Sequence, residues 1–334
     1  MTAAAGRSKP PALARVLERV TATVRAHHLV TPGQTVLLCV SGGPDSVCLV
    51  ETLVRLRRLF KMRLEIFHLD HRLRDGSSAE ADYVERLAAR HGLPYHLRVA
   101  TERPARGMSV EAWARDQRMA ASEEVADRIG AERIAEGHTM DDQAETVLIA
   151  LVRGGGLEAL AGIAPMVGRE IQPLLDVTRA EVEGACRSLR LRPRTDPTNA
   201  DTRLLRNAIR LIGLPALEAA TGRELGATIA RTAGHLRGDA RELAEQAERA
   251  TDRITKDTAG GLTLHVDALL DLPEAIGARV VRISLYRLGI LPTHTDIEAV
   301  LDLAVGRPGR HRDLTASATA RRTASTVELF APQR

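Results

Sequence analysis

Thr35-Val36-Leu37-Leu38-Cys39-Val40 runs directly into Ser41-Gly42-Gly43-Pro44-Asp45-Ser46, and residues 47–53 continue with helical periodicity. A short, β-branched, almost unbroken apolar run marks a strand buried on both faces, which belongs in a parallel sheet. Buried strand, glycine turn and helix together limit the possible folds more than any other stretch. Two adjacent glycines let the chain curl with no Cβ in the way. The helix that follows aims free N–H groups and partial positive charge at whatever sits in the turn. Ser41 and Ser46 add hydroxyls, so the turn suits phosphate. Asp45 beside a phosphate calls for a Mg²⁺ ion bridging the two. The competing reading is a plain turn capped by Ser or Asp, which Gly-Gly-Pro-Asp alone would satisfy. Neither G-x-x-x-x-G-K-[ST] nor a G-x-G-x-x-G after this strand is present, so the two commonest nucleotide loops do not apply.

Strands and helices then alternate. Residues 64–69, 95–99 and 133–136 read as further strands, and 171–175 as a last short one. Residues 13–29, a stretch from 47 through 53, 78–91, 109–129 and a stretch from about 141 to past 151 read as helices. The spacing predicts an α/β fold with a doubly wound parallel sheet. Ligands in such sheets sit at the carboxyl ends of the strands, where the polar sequences after strands one, two and four fall. Residues 1–10 are expected to form a polar tail, which with the first helix makes an N-terminal segment of residues 1–30. Residues 31–216 are the nucleotide-binding domain. Residues 217–334 form a smaller, mainly helical part: 217–257 read as helical throughout, and 316–322 as an exposed basic edge strand.

Net charge is +4, so no overall polybasic character points to nucleic acid. Lys occurs only at Lys9, Lys61 and Lys256, and the remaining basic residues are Arg, suited to forked contacts with phosphate. Cys39, Cys48 and Cys186 form no C-x-x-C, which excludes a structural zinc, an iron–sulfur cluster and a disulfide framework. With no signal peptide and no long apolar segment, a cytoplasmic location without a membrane is expected.

Two further clusters carry chemistry. From Asp141, a helix places Asp142, Glu145 and Thr146 at i, i+3 and i+4, presenting acceptors together. Taken alone, two Asp at a helix start are ordinary caps; beside Asp45 they crowd carboxylates around one phosphate site, which a cation would relieve. The His68/Asp70/His71 array imitates a metal site, but alternate strand residues face opposite ways, so packing and capping compete with a ligand role. Glu111, Arg115 and Arg118 share one helix face.

Ser41 to Ser46 is similar to the S-G-G-x-D-S signature of the PP-loop ATP pyrophosphatases. In order there follow His68-x-Asp70-His71-x-Leu73-Arg74, Glu111-Ala112-x-x-Arg115-x-x-Arg118 and Gly137-His138-x-x-Asp141-Asp142-Gln143-x-Glu145-Thr146. Arg153-Gly154-x-Gly156, Pro173-Leu174-Leu175, Asp196-x-Thr198-Asn199 and Arg206-Asn207-x-Ile209-Arg210 complete the set. Over residues 36–215 the chain resembles the tRNA(Ile)-lysidine synthetase family. The resemblance implies a carbon–nitrogen ligase that uses ATP to adenylate the wobble cytidine of the CAU-anticodon isoleucine tRNA. Free L-lysine then displaces AMP, giving lysidine and switching decoding from AUG to AUA. Carried over residue by residue, Ser41, Gly42, Gly43, Pro44, Asp45 and Ser46, with His68, His138 and Arg118, would bind ATP. Asp45 and Asp142 would hold Mg²⁺ through the ATP phosphates. Asp45, Asp142, Glu145 and Arg115 would be catalytic, and Arg153, Arg206, Asn207 and Arg210 would meet tRNA or lysine.

The chain departs from the family pattern in three places. The loop reads R-G-G-G, Ala208 and Leu211 stand where basic residues are usual, and about 115 residues follow the matched region where longer forms carry two domains. A PP-loop thiolase is the nearest rival, and thiolases normally show catalytic cysteines. A dead RNA-binding module is a second rival, in which Asp45 and Asp142 would have no reason to persist. Further tRNA contacts are expected from Arg231, Arg237 and Arg241, and from Arg307, Arg310, Arg312, Arg321 and Arg322. The sequence leaves the oligomeric state open, a homodimer included.

Overall fold

A computed structural model describes residues 10–72, 78–104, 109–194 and 200–331. Leu73, Arg74, the 196–199 motif and all of the N-terminal tail except Pro10 lie outside the described residues. The chain divides into two compact units, residues 1–234 and 235–334.

In the first unit α1 (Pro11–Ala26) leads to β1 (Thr35–Cys39), α2 (Pro44–Leu56), β2 (Arg63–Asp70), α3 (Ser78–His91), β3 (Tyr95–Val99), α4 (Val110–Ile129) and β4 (Arg133–Ala135). There follow α5 (Met140–Val152), α6 (Leu157–Leu160), β5 (Met166–Val167), β6 (Glu170–Ile171) and α7 (Arg179–Ser188). The sheet order is β3-β2-β1-β4-β6-β5; all neighbours are parallel except the β5–β6 hairpin. Strand order reverses direction at β1, with β2 on one side and β4 on the other. The crevice beyond the carboxyl ends of β1 and β4 is therefore the switch point.

β1 is buried along its whole length, as its unbroken apolar run requires. Val36, Leu38 and Val40 enter one layer with Val47 and Val50 of α2 and Val182 and Ala185 of α7. Leu37 and Cys39 enter the opposite layer with Phe67, Leu69 and, from α4, Val125 and Ala126. The strand's two-residue period thus feeds two apolar layers. Leu13, Val16, Leu17, Val20 and Val24 put α1 into the first layer, so this helix packs into the nucleotide-binding body.

After residue 200 the chain forms α8 (Leu205–Ala208), a π-helical turn (Ile209–Gly213) and α9 (Leu214–Thr221). Pro215 explains the widened turn. It offers no N–H to the carbonyl one turn back and its ring crowds that carbonyl. The N–H of Leu214 instead reaches the carbonyl of Ile209, five residues earlier. The expected single helix over 217–257 is two, α9 and α10 (Leu225–Ile254), separated at Gly222. The sequence places the first boundary at residue 216; the two compact units divide between residues 234 and 235, within α10.

The second unit takes the remainder of α10, then β7 (Thr255–Thr258), β8 (Gly261–His265), α11 (Val266–Leu270), α12 (Glu274–Arg287) and α13 (His294–Val305). It ends with β9 (His311–Asp313), β10 (Thr319–Arg322) and β11 (Thr326–Phe330). These strands make an antiparallel sheet in the order β7-β8-β11-β10-β9. Leu262, Leu264, Val327 and Leu329 pack with Val280, Val281 and Leu285 of α12 and Val300 and Leu303 of α13. The segment expected to be an edge strand is β10, which lies inside the sheet. The edge on that side is β9, three exposed residues too short and polar to show as a strand in the sequence.

Asp296 is the polar anchor of this unit. Its Oδ2 accepts from the Thr293 N–H at 2.7 Å, the Thr293 hydroxyl at 2.7 Å and the Thr315 hydroxyl at 2.7 Å; its Oδ1 accepts from the Thr315 N–H at 2.9 Å. Burial pushes this carboxyl up, but the hydrogen bonds overcome it and hold it at about 2. A depressed folded-state pKa stabilises the fold fully above the unfolded value near 3.8 and loses that contribution as pH falls towards 2. Asp296→Ala is expected to cost about 2 kcal/mol at pH 7 by denaturant unfolding, and the difference should vanish by about pH 2.

Candidate active site

The phosphate-type turn follows β1. Gly42 holds φ +89, a conformation that only glycine adopts without strain, and its carbonyl accepts from the Arg194 N–H at 2.9 Å. The turn is braced internally. The Gly43 N–H donates to Ser41 Oγ at 3.3 Å, the Ser46 hydroxyl donates to the Gly43 carbonyl at 3.0 Å, and the two hydroxyls lie 3.2 Å apart. No side chain caps α2, which starts at Pro44, so its first N–H groups face the crevice. His68, buried at the end of β2, donates from Nδ1 to the Val40 carbonyl at 2.7 Å and ties that strand to the turn.

The second signature turn, after β4, meets the first directly. A Cβ built on Gly137 would lie 3.1 Å from the Asp45 carbonyl carbon, 3.2 Å from its oxygen and 3.2 Å from the Ser46 nitrogen. A side chain here would push the two turns apart by a few tenths of an ångström. Thr139 then caps α5 in a capping box: its N–H and hydroxyl both donate to Asp142 Oδ2 at 2.8 Å.

Asp142 is therefore a cap, and more. Its Oδ1 takes Arg206 Nη2 at 2.9 Å and Arg179 Nη2 at 3.4 Å. Glu145, 1% exposed, takes Arg206 Nε at 2.8 Å on Oε2 and Arg179 Nη1 at 3.2 Å on Oε1, with Arg210 Nε 3.8 Å from Oε1. Asp141 Oδ2 accepts the Arg179 N–H at 2.7 Å. Burial pushes Asp142 up, but Arg206, His138, the Thr139 N–H and Arg179 together hold it below the usual carboxylate range. Asp45 behaves oppositely. Burial and the neighbouring Asp142 push it up to about 6 against the pull of Arg179 and Arg210, and its buried Oδ1 has no hydrogen-bond partner.

A second polar group adjoins it. Glu136 accepts from Arg118 Nε at 3.2 Å and from Gln172 Nε2 at 3.4 Å, while His138 Nδ1 donates to Gln172 Oε1 at 2.9 Å. Burial works against the Glu136 charge, yet Arg118, His138 and Gln172 keep this carboxyl below its ordinary value.

The structure thus brings Asp45, Asp142, Glu145, Arg206 and Arg210 together, with His138 and Arg118 alongside. It does not bring Arg153 to them: that residue stands exposed at the end of α5, about 16 Å along the helix axis from Asp142. Arg115 is exposed and acts on Glu170. Buried Asn207 donates from Nδ2 to the Asp201 carbonyl at 3.0 Å, bracing the start of α8. Thr146 does not join the acceptors; its hydroxyl donates to the Asp142 carbonyl of its own helix at 2.7 Å. Sequence reading missed Arg179, Glu136 and Gln172. The one local signal was Thr178, which opens α7 and places Arg179 in its first turn.

A family model for the PP-loop domain matches residues 14–217. The tRNA(Ile)-lysidine synthase of Symbiobacterium thermophilum is 40% identical over 316 residues, covering 89% of this chain and 65% of its own. That of Thermobifida fusca is 37% identical over 273 residues, covering 82% of each chain. This chain belongs to the tRNA(Ile)-lysidine synthase family. It spans 58% to 65% of the length of three of the curated relatives that it matches. In fold, the chain is similar to the U34-tRNA thiolase NcsA from Methanococcus maripaludis with its [4Fe-4S] cluster. The TM-score is 0.58 at 17% identity, over 67% of this chain and 78% of that one.

In this member of the family Asp45 carries an energetic cost in the free protein. A carboxyl whose folded-state pKa is raised costs stability progressively as pH rises from its ordinary value of 3.8 to about 6, and in full above that. Asp45→Asn is therefore expected to stabilise the nucleotide-free protein by about 2–3 kcal/mol at pH 7. The stability gain should disappear as pH falls from 6 to 4, which denaturant unfolding across that range will check.

Proposed function

We infer that this chain ligates L-lysine to C2 of the wobble cytidine in the CAU-anticodon isoleucine tRNA, at the expense of ATP. The observation that carries the reading is the meeting of the uncapped α2 turn with the α5 carboxylates at the β1/β4 switch point, in a chain of this family. The cytidine O2 attacks the α-phosphate of ATP and pyrophosphate leaves. The lysine ε-amine, once deprotonated, attacks C2, and AMP leaves carrying the oxygen.

Residues of this chain suit both halves. The Gly42–Ser46 turn and the free N–H groups of α2 bind phosphate oxygens. His138 follows β4 and Arg118 reaches from α4 to Glu136 beside it, where the nucleotide and the adenylated base would meet them. Asp142 and Glu145 supply anionic oxygens that orient the lysine ammonium and take up its proton. Arg206 and Arg210 offset the charge of the acids and face substrate. A divalent cation fits this donor set, because the buried Asp45 Oδ1 lacks any hydrogen bond. Among the described residues no three or more His, Cys, Asp or Glu groups could cage a metal, so Asp45 and Asp142 would hold Mg²⁺ chiefly through ATP phosphates. Bound there, Mg²⁺ would neutralise charge on the departing pyrophosphate.

The second unit would supply positioning contacts to the tRNA body, since one base discrimination is worth only about 1–3 kcal/mol. Arg307, Arg310 and Arg312 are exposed around β9, whereas Arg322 is buried and Arg321 pairs with Glu328 at 2.6 Å and stacks over Phe330. Among the described residues no helix is long and apolar enough to cross a membrane. Cys39, Cys48 and Cys186 are all buried, which does not favour thiolase chemistry.

The deciding experiment incubates the full chain with isoleucine tRNA, ATP, Mg²⁺ and labelled L-lysine, followed by nucleoside analysis. Labelled lysidine is expected, and its absence from an otherwise folded, ATP-binding protein would overturn the reading. Replacing Arg307, Arg310 and Arg312 together by Glu should weaken tRNA binding and reduce its salt slope by about three, with ATP binding kept within a few-fold. Filter binding at several salt concentrations measures both.

A further inference from the structure

Arg179 belongs to none of the motifs that mark this chain, yet it is the cation set deepest among the acids. Its side chain is 14% exposed, against 31% for Arg206 and 31% for Arg210. Its fork spans both carboxylates, with Nη1 on Glu145 Oε1 at 3.2 Å and Nη2 on Asp142 Oδ1 at 3.4 Å. These acids lie one turn apart on α5, both buried, and without a cation between them their like charges would splay the side chains.

The mounting of Arg179 is rigid. It occupies the first position of α7, whose capping box joins Thr178 to Glu181, and Glu181 also takes Arg19 Nε of α1 at 2.9 Å. The Arg179 N–H is held by Asp141 Oδ2. Farther along α7, the Cys186 thiol donates to the Pro44 carbonyl at 3.7 Å, at the very start of α2. Val182 and Ala185 lie in the central apolar layer. Arg206 and Arg210, by contrast, come from a four-residue helix and the π-turn after it.

We propose that Arg179 is a positioning residue for the amine-binding pair: it holds Asp142 and Glu145 at one separation and orientation, so that a primary ammonium meets both. This rests on the reading of those two acids as the lysine-amine site. Arg206 also bridges the two acids, from α8, with Nη2 on Asp142 Oδ1 at 2.9 Å and Nε on Glu145 Oε2 at 2.8 Å, while Arg179 fixes them from the buried α7 side.

The test uses the full chain with Arg179→Lys and Arg179→Gln. KM and kcat are measured for lysine at saturating ATP and tRNA, KM for ATP at saturating lysine, and Tm for each protein. A Lys ammonium keeps the charge but is a point donor that cannot bridge two carboxylates as a planar fork does. In both variants the KM for lysine is expected to rise roughly tenfold more than the KM for ATP. The proposal falls if Arg179→Lys has wild-type lysine kinetics, or if both KM values rise together, since charge alone or general packing would then explain Arg179. Poor folding of Arg179→Gln would show in its Tm, and Arg179→Lys then decides. A wild-type protein that transfers no lysine would instead overturn the proposed function, an outcome seen before any variant is made.

Discussion

The rest of this active region depends on one close approach, that of the turn after β4 to the first turn of α2. At Gly137 the two backbones come so close that a Cβ would stand 3.1 Å from the Asp45 carbonyl carbon and force them apart by a few tenths of an ångström. Two helix N-termini, those of α2 and α5, are thereby aimed into one crevice. Helix dipoles and free N–H groups add there, favouring a polyanion over any neutral ligand. The parallel register of β1 against β4 brings this about, since Leu38 pairs with Ala135 and the two strands end within a residue of each other.

That convergence crowds four carboxylates: Asp45, Asp141, Asp142 and Glu145. Buried like charges are tolerated only when cations or hydrogen bonds reach them. Arg179, Arg206 and Arg210 serve Asp142 and Glu145, and Arg179 offers its backbone N–H to Asp141. Asp45 Oδ1 alone is left without a hydrogen bond and takes up a proton more readily than an ordinary aspartate. A fold that keeps such a group sacrifices stability at a functional position, and the pattern separates Asp45 from the other three acids.

The second unit has a different logic. Its sheet is antiparallel, its core is closed by α12 and α13, and its polar anchor, Asp296, is fully satisfied. Nothing in it resembles the strained, charge-dense crevice of the first unit. Arg307, Arg310 and Arg312 stand exposed around its short edge strand β9.

Much of this was legible in the amino-acid order, because local periodicity and turn chemistry act over a few residues. The buried β1 run, the glycine turn, the alternation of strands and helices, and the i, i+3 placement of Asp142 and Glu145 are all of this kind. The motifs likewise marked Asp45, Arg206 and Arg210 in advance. What lay beyond reach was pairing across distance. Arg179 meets Glu145 from 34 residues away, and Gln172 meets Glu136 from 36 away, with no pattern in the intervening chain. The same blindness placed Arg153 at the site although its helix carries it away, and made β10 an edge although β9 covers it. The order of residues determined which elements form and which faces are apolar. Only the tertiary structure decided which charges neutralise one another, because Coulomb and hydrogen-bond energies depend on separation in space, which parallel strands joined by helical crossovers set independently of separation along the chain.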